Sequence, residues 1–304
     1  MLDAIIFDFD GAVAKTDTRQ FEWYKHWNMC NEKEKLSYSS NFFDMVNTSE
    51  ELPKPEEIEK VSVDLKKNPG KSVVIGTFEE FIPIYNKIIN FGGAQFVYDA
   101  FGLPCDMSDR SHPVWVAFDN YNIKHPAPLY AGIKEMLEEL WHLTRLPANP
   151  IYNRQIRMAI NTTNSWKSVH PNLEKYGVND YFDSHVCSEA LKEYDGGGNA
   201  KAINKPSKVS VALSLLLLDA PGDTTIFVGD TKADLGACID VRRNGLTHRK
   251  ENLITIGVDW GFEGKESLRE GVSTPGGQEY FKHLVVSPSD IISIVKDYLP
   301  SDWK

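Results

Sequence analysis

The chain has 304 residues and a formal net charge of -10, with 41% apolar and 25% charged residues. This composition is typical of a globular protein with a full core, and the length allows one or two domains. The excess of negative charge argues against general binding to nucleic acid or to an anionic membrane, because phosphate groups would be repelled. We therefore expect neither a nucleic-acid partner nor a membrane partner.

The four cysteines Cys30, Cys105, Cys187 and Cys238 lie far apart, with neither a CxxC pair nor the histidine spacing of a zinc site. Reduced, partly buried thiols in a cytoplasmic protein are the simplest interpretation. The first residues lack the basic and long apolar regions of a secretory signal. The most apolar run, residues 209–218, is shorter than the ~18 residues that span a bilayer.

Short apolar runs alternate with amphipathic helical patterns over most of the chain. We predict strands at residues 2–9, 156–160, 224–228 and 253–258, and a weaker strand at residues 283–286. Helical patterns cover residues 132–143, 165–175, 209–218 and 290–299. Buried strands that alternate with helices indicate an α/β fold, a Rossmann-like parallel sheet with helices on both sides.

This alternation breaks after the first strand. The following hundred or so residues are rich in aromatic side chains and helical charge patterns and contain few strand-like runs. We interpret residues 17–126 as a mainly α-helical insertion, and residues 1–16 with 127–304 as one α/β domain. Trp115, Phe118 and Tyr121 recur at helical spacing and are expected to pack inside the insertion.

Polar residues follow three of the predicted strands, and one lysine precedes a helix. They are Asp8, Asp10 and Gly11 after the first strand, Thr162, Thr163 and Asn164 after the second, Lys205 before the helix at 209–218, and Asp230 and Asp234 after the strand at 224–228. In an open parallel sheet, ligands bind beyond the carboxyl ends of the strands. One aspartate alone is as well explained as a helix cap. Several carboxylates at one place repel one another and need a cation, and Mg²⁺ suits carboxylates, waters and a substrate phosphate.

Four short motifs in this order resemble the signature of the haloacid dehalogenase superfamily. They are DFDGA after the first strand, a Thr after the second, Lys-Pro before a helix, and GDTKAD after a later strand. The segments YAGIKEMLEEL (130–140) and GVDWGF (257–262) are similar to parts of phosphoglycolate-phosphatase-like members. Each motif is weak by itself, whereas four in the right order on the right elements are specific.

The resemblance implies a role for each of these residues. Asp8 matches the nucleophile that forms an aspartyl-phosphate, and Asp10 matches the general acid and base. Thr162 matches the hydroxyl that binds the transferring phosphoryl group, with Thr163, Asn164 and Gly11 beside it, and Lys205 matches the cation that neutralises charge. Asp8, the Asp10 carbonyl, Asp230 and Asp234 match the Mg²⁺ ligands, the last directly or through water.

Several assignments stay open at this point. Thr163 competes with Thr162, and Lys208 competes with Lys205, while Lys232 in GDTKAD is more often a solvated residue than a ligand. The family usually has Thr or Val where this chain has Ala12, and often an acidic residue where it has Lys15. Two loops, residues 145–155 and 240–251, look enlarged.

The insertion corresponds in this family to a cap that closes over the active site and selects the substrate. The resemblance therefore implies a Mg²⁺-dependent phosphatase that acts on a small phosphorylated metabolite. A phosphomutase of the same fold, a phosphoacceptor signalling domain and a catalytically inactive binding protein are the alternatives. The sequence does not name the substrate or the oligomeric state.

Overall fold

The computed structural model describes residues 2–31, 36–51, 53–103, 106, 112–145, 155–195, 203–220, 224–243 and 252–299. The strands are β1 (Leu2–Asp8), β2 (Leu36–Ser39), β3 (Ser72–Ile75), β4 (Arg157–Asn161), β5 (Ser184–Val186), β6 (Thr224–Gly229), β7 (Leu253–Val258), β8 (Val272–Thr274), β9 (Gly277–Glu279) and β10 (His283–Val285). The helices are α1 (Thr16–Asn31), α2 (Ser40–Thr48), α3 (Pro55–Lys67), α4 (Phe78–Ala100), α5 (Pro113–Lys124), α6 (Ile133–Thr144), α7 (Trp166–Tyr176), α8 (Ser188–Asp195), α9 (Lys208–Leu217), α10 (Lys232–Arg243), α11 (Gly264–Glu270) and α12 (Pro288–Tyr298).

The chain divides into two compact units, residues 1–16 with 126–304 and residues 17–125. The return to the first unit lies between His125 and Pro126, one residue before the boundary expected from the sequence. The roles of the two units as catalytic core and cap stay predictions.

The first unit contains a parallel sheet of six strands in the order β10-β7-β6-β1-β4-β5. The predicted α/β fold is confirmed, and all five predicted strands and all four predicted helices are present within a few residues of their expected bounds. β1 is central and almost fully buried, as expected for a run such as LDAIIFD between two helical layers. In α6 the buried residues Ile133, Met136, Leu137 and Leu140 form the apolar face that its spacing predicts.

Short strands were missed from the sequence. β5, β8 and β9 have three residues each, and β2 and β3 have four. The pair β2–β3 forms a small antiparallel sheet inside the otherwise helical second unit. Runs of three or four residues are too short to show an alternating pattern, so only their pairing partners identify them.

An aromatic core holds the second unit together. Trp23 packs against Phe118 and Tyr121 with ring centroids 5.3 and 5.4 Å apart, and Trp115 lies against Phe118 at 6.3 Å. The prediction that these three residues of α5 pack inside the insertion is therefore confirmed. Aromatic contacts at these distances, two of them edge-to-face, add to the stabilisation from burial.

Cys187 and Cys238 are free and buried, as predicted, while Cys105 and the side chain of Cys30 lie outside what the structure describes. Most of the two loops interpreted as enlarged, 145–155 and 240–251, also lies outside it. Among the described helices, none combines the length and apolar character needed to cross a bilayer.

Candidate active site

The polar residues that follow β1, β4 and β6 lie at the carboxyl end of the sheet. β1 is hydrogen-bonded to β4 on one side and to β6 on the other, with Asp8 opposite Asn161 and Phe7 opposite Val228. Because the three strands are parallel and in register, the loops that follow them begin side by side. Residues far apart in sequence are thereby brought to one place.

Three carboxylates form a buried group at this end of the sheet. One carboxylate oxygen each from Asp8, Asp230 and Asp234 lies within 4.8 Å of the other two. Their exposed fractions are 5%, 0% and 1%. Such an arrangement is costly unless a positive charge is close, because like charges at this distance repel strongly in a partly desolvated site.

Lys205 supplies part of that positive charge. Its Nζ contacts Asp8 Oδ1 and lies 2.6 Å from Asp234 Oδ1, and only 8% of its side chain is exposed. Burial lowers the pKa of this ammonium, but the carboxylates of Asp234 and Asp8 outweigh burial and hold the pKa above its ordinary value. Lys205 rather than Lys208 is thus the lysine found in contact with these carboxylates, and its catalytic role stays a prediction.

Asp10 has a different environment. Its Oδ2 accepts a hydrogen bond from Thr162 Oγ1 at 2.6 Å, and its Oδ1 accepts one from Asn164 Nδ2 at 3.1 Å. Asn164 N also donates to Thr162 Oγ1 at 3.0 Å, which fixes the hydroxyl between two partners. Thr162 is buried, whereas the side chain of Thr163 is exposed. The Asp10 carboxylate thus lies outside the three-carboxylate group.

Gly11 allows the first loop to approach Asp230. Its φ is +84°, and a Cβ built there would lie 2.0 Å from Asp230 Oδ2. Both the left-handed backbone and the lack of space require glycine at this position. The predicted contact of Gly11 with phosphate stays a prediction.

The loop after β7 was recognised in the sequence as family-like but was assigned no role. Trp260 Nε1 donates to the carbonyl of Ala12 at 3.1 Å, and Phe262 N donates to Asp230 Oδ2 at 2.7 Å. A Cβ on Gly261 would lie 2.2 Å from the Cβ of Asp230. The sequence WGF therefore connects the first loop to Asp230, and the GVDWGF match was the signal that could have found this contact.

Lys15 and Lys232 have partners outside the carboxylate group. Lys15 Nζ lies 5.2 Å from the centre of the Tyr130 ring, a cation–π distance. Lys232 Nζ lies 2.6 Å from Glu270 Oε2, and Lys232 N donates to Glu263 Oε2 at 3.0 Å. Lys232 is thus paired with acidic side chains of the loop and helix after β7.

The donor set of the three carboxylates fits a divalent cation. Asp234 Oδ2 accepts from Asp230 N, Thr231 N and Thr231 Oγ1, so this residue is largely satisfied by the protein. Asp230 Oδ1 is buried with no hydrogen-bond partner in the described part of the chain. Burial, with the neighbouring carboxylates, raises the pKa of Asp230, and burial likewise raises that of Asp8 against the opposing effect of Lys205. Three carboxylates against one ammonium leave an excess of negative charge that an oxygen-preferring ion such as Mg²⁺ would balance.

Comparison with known sequences points to one family. The profile described as haloacid dehalogenase-like hydrolase matches residues 2–241. Pyrophosphatase PpaX from Listeria welshimeri is 24% identical over 185 residues, which cover 60% of this chain and 67% of that protein. The protein of the same name from Listeria innocua matches with the same values.

Solved structures share the fold over almost the whole chain. A candidate phosphoglycolate phosphatase from Lactobacillus delbrueckii subsp. bulgaricus has a TM-score of 0.52 at 14% identity, covering 97% of this chain and 99% of that chain. A candidate β-phosphoglucomutase from Thermotoga maritima has a TM-score of 0.51 at 16% identity, covering 98% and 100%. At such identities these likenesses concern the fold alone.

Proposed function

Because this chain belongs to the haloacid dehalogenase-like hydrolase family, we propose that it is a phosphohydrolase that cleaves a small-molecule phosphate monoester, with Asp8 as the nucleophile. The observation that carries the proposal is the contrast between Asp8 and Asp10. Asp8 contacts the Lys205 ammonium, whereas Asp10 is hydrogen-bonded to a hydroxyl and an amide. Two carboxylates in different surroundings suit two different roles in one reaction.

In the first step a carboxylate oxygen of Asp8 attacks phosphorus, and the bond to the ester oxygen breaks. Asp10, in its protonated form, gives its proton to the departing oxygen, so that an alcohol leaves and an aspartyl-phosphate forms. Thr162 and Asn164 hold the Asp10 carboxyl in place through 2.6 and 3.1 Å hydrogen bonds. Lys205 balances the negative charge that gathers beside Asp8.

In the second step the Asp10 carboxylate takes a proton from water, and the water oxygen attacks phosphorus of the aspartyl-phosphate. The acyl–phosphate bond breaks, which releases inorganic phosphate and restores the Asp8 carboxylate. Asp10 ends the cycle protonated, as it began. No external reactant other than water is consumed.

A Mg²⁺ ion held by Asp8 and Asp230, with Asp234 and the Asp10 carbonyl, would supply charge neutralisation at the phosphoryl oxygens. The residues of the chain supply the nucleophile, the proton transfer and the lysine. Residues 17–125 are proposed to act as the cap that selects the substrate.

The alternative function is a phosphomutase of the same fold, because such an enzyme would also use Asp8 and Asp10. The name of the Listeria relatives makes inorganic pyrophosphate a substrate to be tested beside phosphate esters. A mutase would convert one sugar phosphate into another without releasing phosphate. A binding protein without activity would release none from any substrate.

The test is a phosphate-release assay over a panel of phosphorylated metabolites, inorganic pyrophosphate and p-nitrophenyl phosphate, with and without Mg²⁺. We expect Mg²⁺-dependent release by the parent protein and a loss of at least about a thousandfold in Asp8→Asn, because the nucleophile is removed. Asp180→Asn, the same change at an exposed position, is the matched control and should keep parental activity. Equal release by Asp8→Asn and the parent would exclude Asp8 as the nucleophile.

A further inference from the structure

A cavity of about 390 Å³ lies in the α/β unit beside the first half of β7. Its polar lining comes from Arg242 near the end of α10, Thr255 of β7, and Gln278, Glu279, Tyr280 and Lys282 at and after the end of β9. The catalytic groups have no part in this lining. The cavity is therefore a separate feature of the unit.

The cavity lies along a part of β7 that has no strand partner on one side among the described residues. β10 pairs with β7 only from Ile256 to Val258, while on the opposite side β6 pairs with β7 from Leu253 onward. In the described part of the chain, no strand pairs with Leu253 and Thr255 on this side, and both residues line the cavity. Lys282 N donates to Thr255 Oγ1 at 3.1 Å just before β10 begins, which holds this end of the cavity in shape.

Arg242 presents an unfilled hydrogen-bonding edge. Its side chain is 12% exposed, and its Nε and Nη2 are both buried without a hydrogen bond to any part of the chain that the structure describes. These two nitrogens form one side of the guanidinium fork, the side that binds a carboxylate or a phosphate through two parallel bonds. Buried donors left unpaired are costly, so this edge is suited to an acceptor with two oxygens.

The charges near the fork favour an anion. Glu279 Oε2 lies 3.8 Å from Arg242 Nη2, too far for a hydrogen bond, and Glu279 Oε1 lies 3.6 Å from Arg243 Nη2. Arg242, Arg243 and Lys282 together exceed the charge of Glu279, in a chain whose formal net charge is -10. A local cationic site on an acidic protein concentrates small anions.

The position separates this cavity from the proposed reaction. The catalytic loops follow the carboxyl ends of β1, β4 and β6, whereas the cavity begins at Leu253, the first residue of β7. From Leu253 to Val258 the strand extends about 16 Å. An occupant of this cavity is therefore not the phosphate ester being cleaved.

We propose that this cavity is a binding site for a small anion bearing a carboxylate or phosphate group, which Arg242 holds through Nε and Nη2. Tyr280 and Thr255 supply further polar contacts, whereas the Gln278 amide is already hydrogen-bonded to Ser273 and to the Glu270 carbonyl. Glu279 occupies the neighbourhood of the fork when no anion is bound. The proposal does not depend on Asp8 chemistry.

The test is a ¹H–¹⁵N NMR titration of the full chain with inorganic phosphate and, separately, with malonate. Either anion should produce saturable shifts at residues 278–282 and at Thr255. Arg242→Gln should abolish these shifts, and Arg242→Lys, which keeps the charge but loses the fork, should weaken binding about tenfold. Glu279→Gln should tighten binding several-fold, because it removes a competing carboxylate.

Lys296→Gln removes one positive charge from a pair with Glu139 that takes no part in the cavity lining, and it should leave the titration unchanged. Shifts of residues 8–11 with phosphate report the catalytic site separately, and they should persist in the Arg242 variants. The proposal is overturned if neither anion saturates residues 278–282, or if Arg242→Lys and Glu279→Gln bind like the parent. These last two variants decide the matter even if Arg242→Gln fails to fold.

Discussion

At the scale of single residues, Asp8 and Asp10 are separated by one position yet have different partners. Asp8 contacts a buried ammonium, and Asp10 accepts hydrogen bonds from Thr162 and Asn164. Side chains alternate between the two faces of a sheet only within a strand, and β1 ends at Asp8. The turn after it places Asp10 beside the loop that follows β4.

Thr162→Val keeps the shape of the side chain and removes its hydroxyl. We expect kcat to fall by roughly 10- to 100-fold, because a hydrogen bond to an ionisable group contributes about 1.5–3 kcal/mol. Thr163→Val is the matched control, since Thr163 is exposed one residue away and should keep activity within about twofold of the parent. The measurement is steady-state phosphate release, and a larger loss in Thr163→Val would reverse the assignment of the two threonines.

At the scale of elements, the site depends on how closely the loop after β1 approaches the loop after β6. Gly11 and Gly261 both lie against Asp230, where an added Cβ would come within 2.0 and 2.2 Å of the aspartate. Trp260 adds a hydrogen bond from the loop after β7 to Ala12. The loops after β1, β6 and β7 thus pack against one another, and this packing requires that Gly11 and Gly261 carry no side chain.

Gly11→Ala should disturb this contact. We expect a loss of about 2–4 kcal/mol of unfolding free energy and a large loss of activity, from a left-handed φ of +84° together with the clash with Asp230. Gly177→Ala has a φ of +66° but meets nothing within 4 Å, so it should cost only about 1 kcal/mol. Denaturant unfolding measures both variants, and equal losses would mean that backbone strain alone matters at Gly11.

At the scale of the whole molecule, the buried carboxylates should link stability to Mg²⁺. An ion that binds only the folded chain stabilises it by about 2.7 kcal/mol at a hundredfold excess over Kd. We expect Mg²⁺ to raise the Tm of the parent protein, and EDTA to reverse the increase. Asp230→Asn should lose most of the Mg²⁺ effect, whereas Asp180→Asn should retain it. An undiminished Mg²⁺ shift in Asp230→Asn would place the ion elsewhere.

Stability should also depend on pH through His185 of β5. Burial, with a smaller contribution from His170, lowers the pKa of His185 from 6.5 to about 4. The unfolded chain therefore takes up a proton at this residue below pH 6.5 while the folded chain does not, so stability falls as the pH falls from about 6.5 towards 4.

After allowance for solvent screening of this half-buried ring, we expect His185 to account for roughly 1 kcal/mol of the stability lost between pH 6.5 and pH 5. His185→Gln should reduce that pH dependence, and the exposed His142→Gln should not. Chemical unfolding at several pH values gives the comparison. Identical pH profiles for His185→Gln and the parent would show that His185 does not titrate in this way.

The sequence by itself determined the alternation of strands and helices and the positions of the four motifs. Each of these is local, because a buried strand such as residues 2–8 or 253–258 is a continuous apolar run and the polar residues directly follow it. The insertion and its aromatic core were likewise evident from composition. These features need only a few neighbouring residues to be recognised.

Only the tertiary structure decided the rest. It placed the Thr162 hydroxyl against Asp10 and the Lys205 ammonium against Asp8, paired the short strands β5, β8 and β9, and connected Trp260 to Ala12 across 248 positions. It also left the Nε–Nη2 edge of Arg242 unfilled beside β7. The physical reason is that these choices depend on which loops lie side by side in the sheet. Strand order is set by packing of the whole unit, which no local pattern contains.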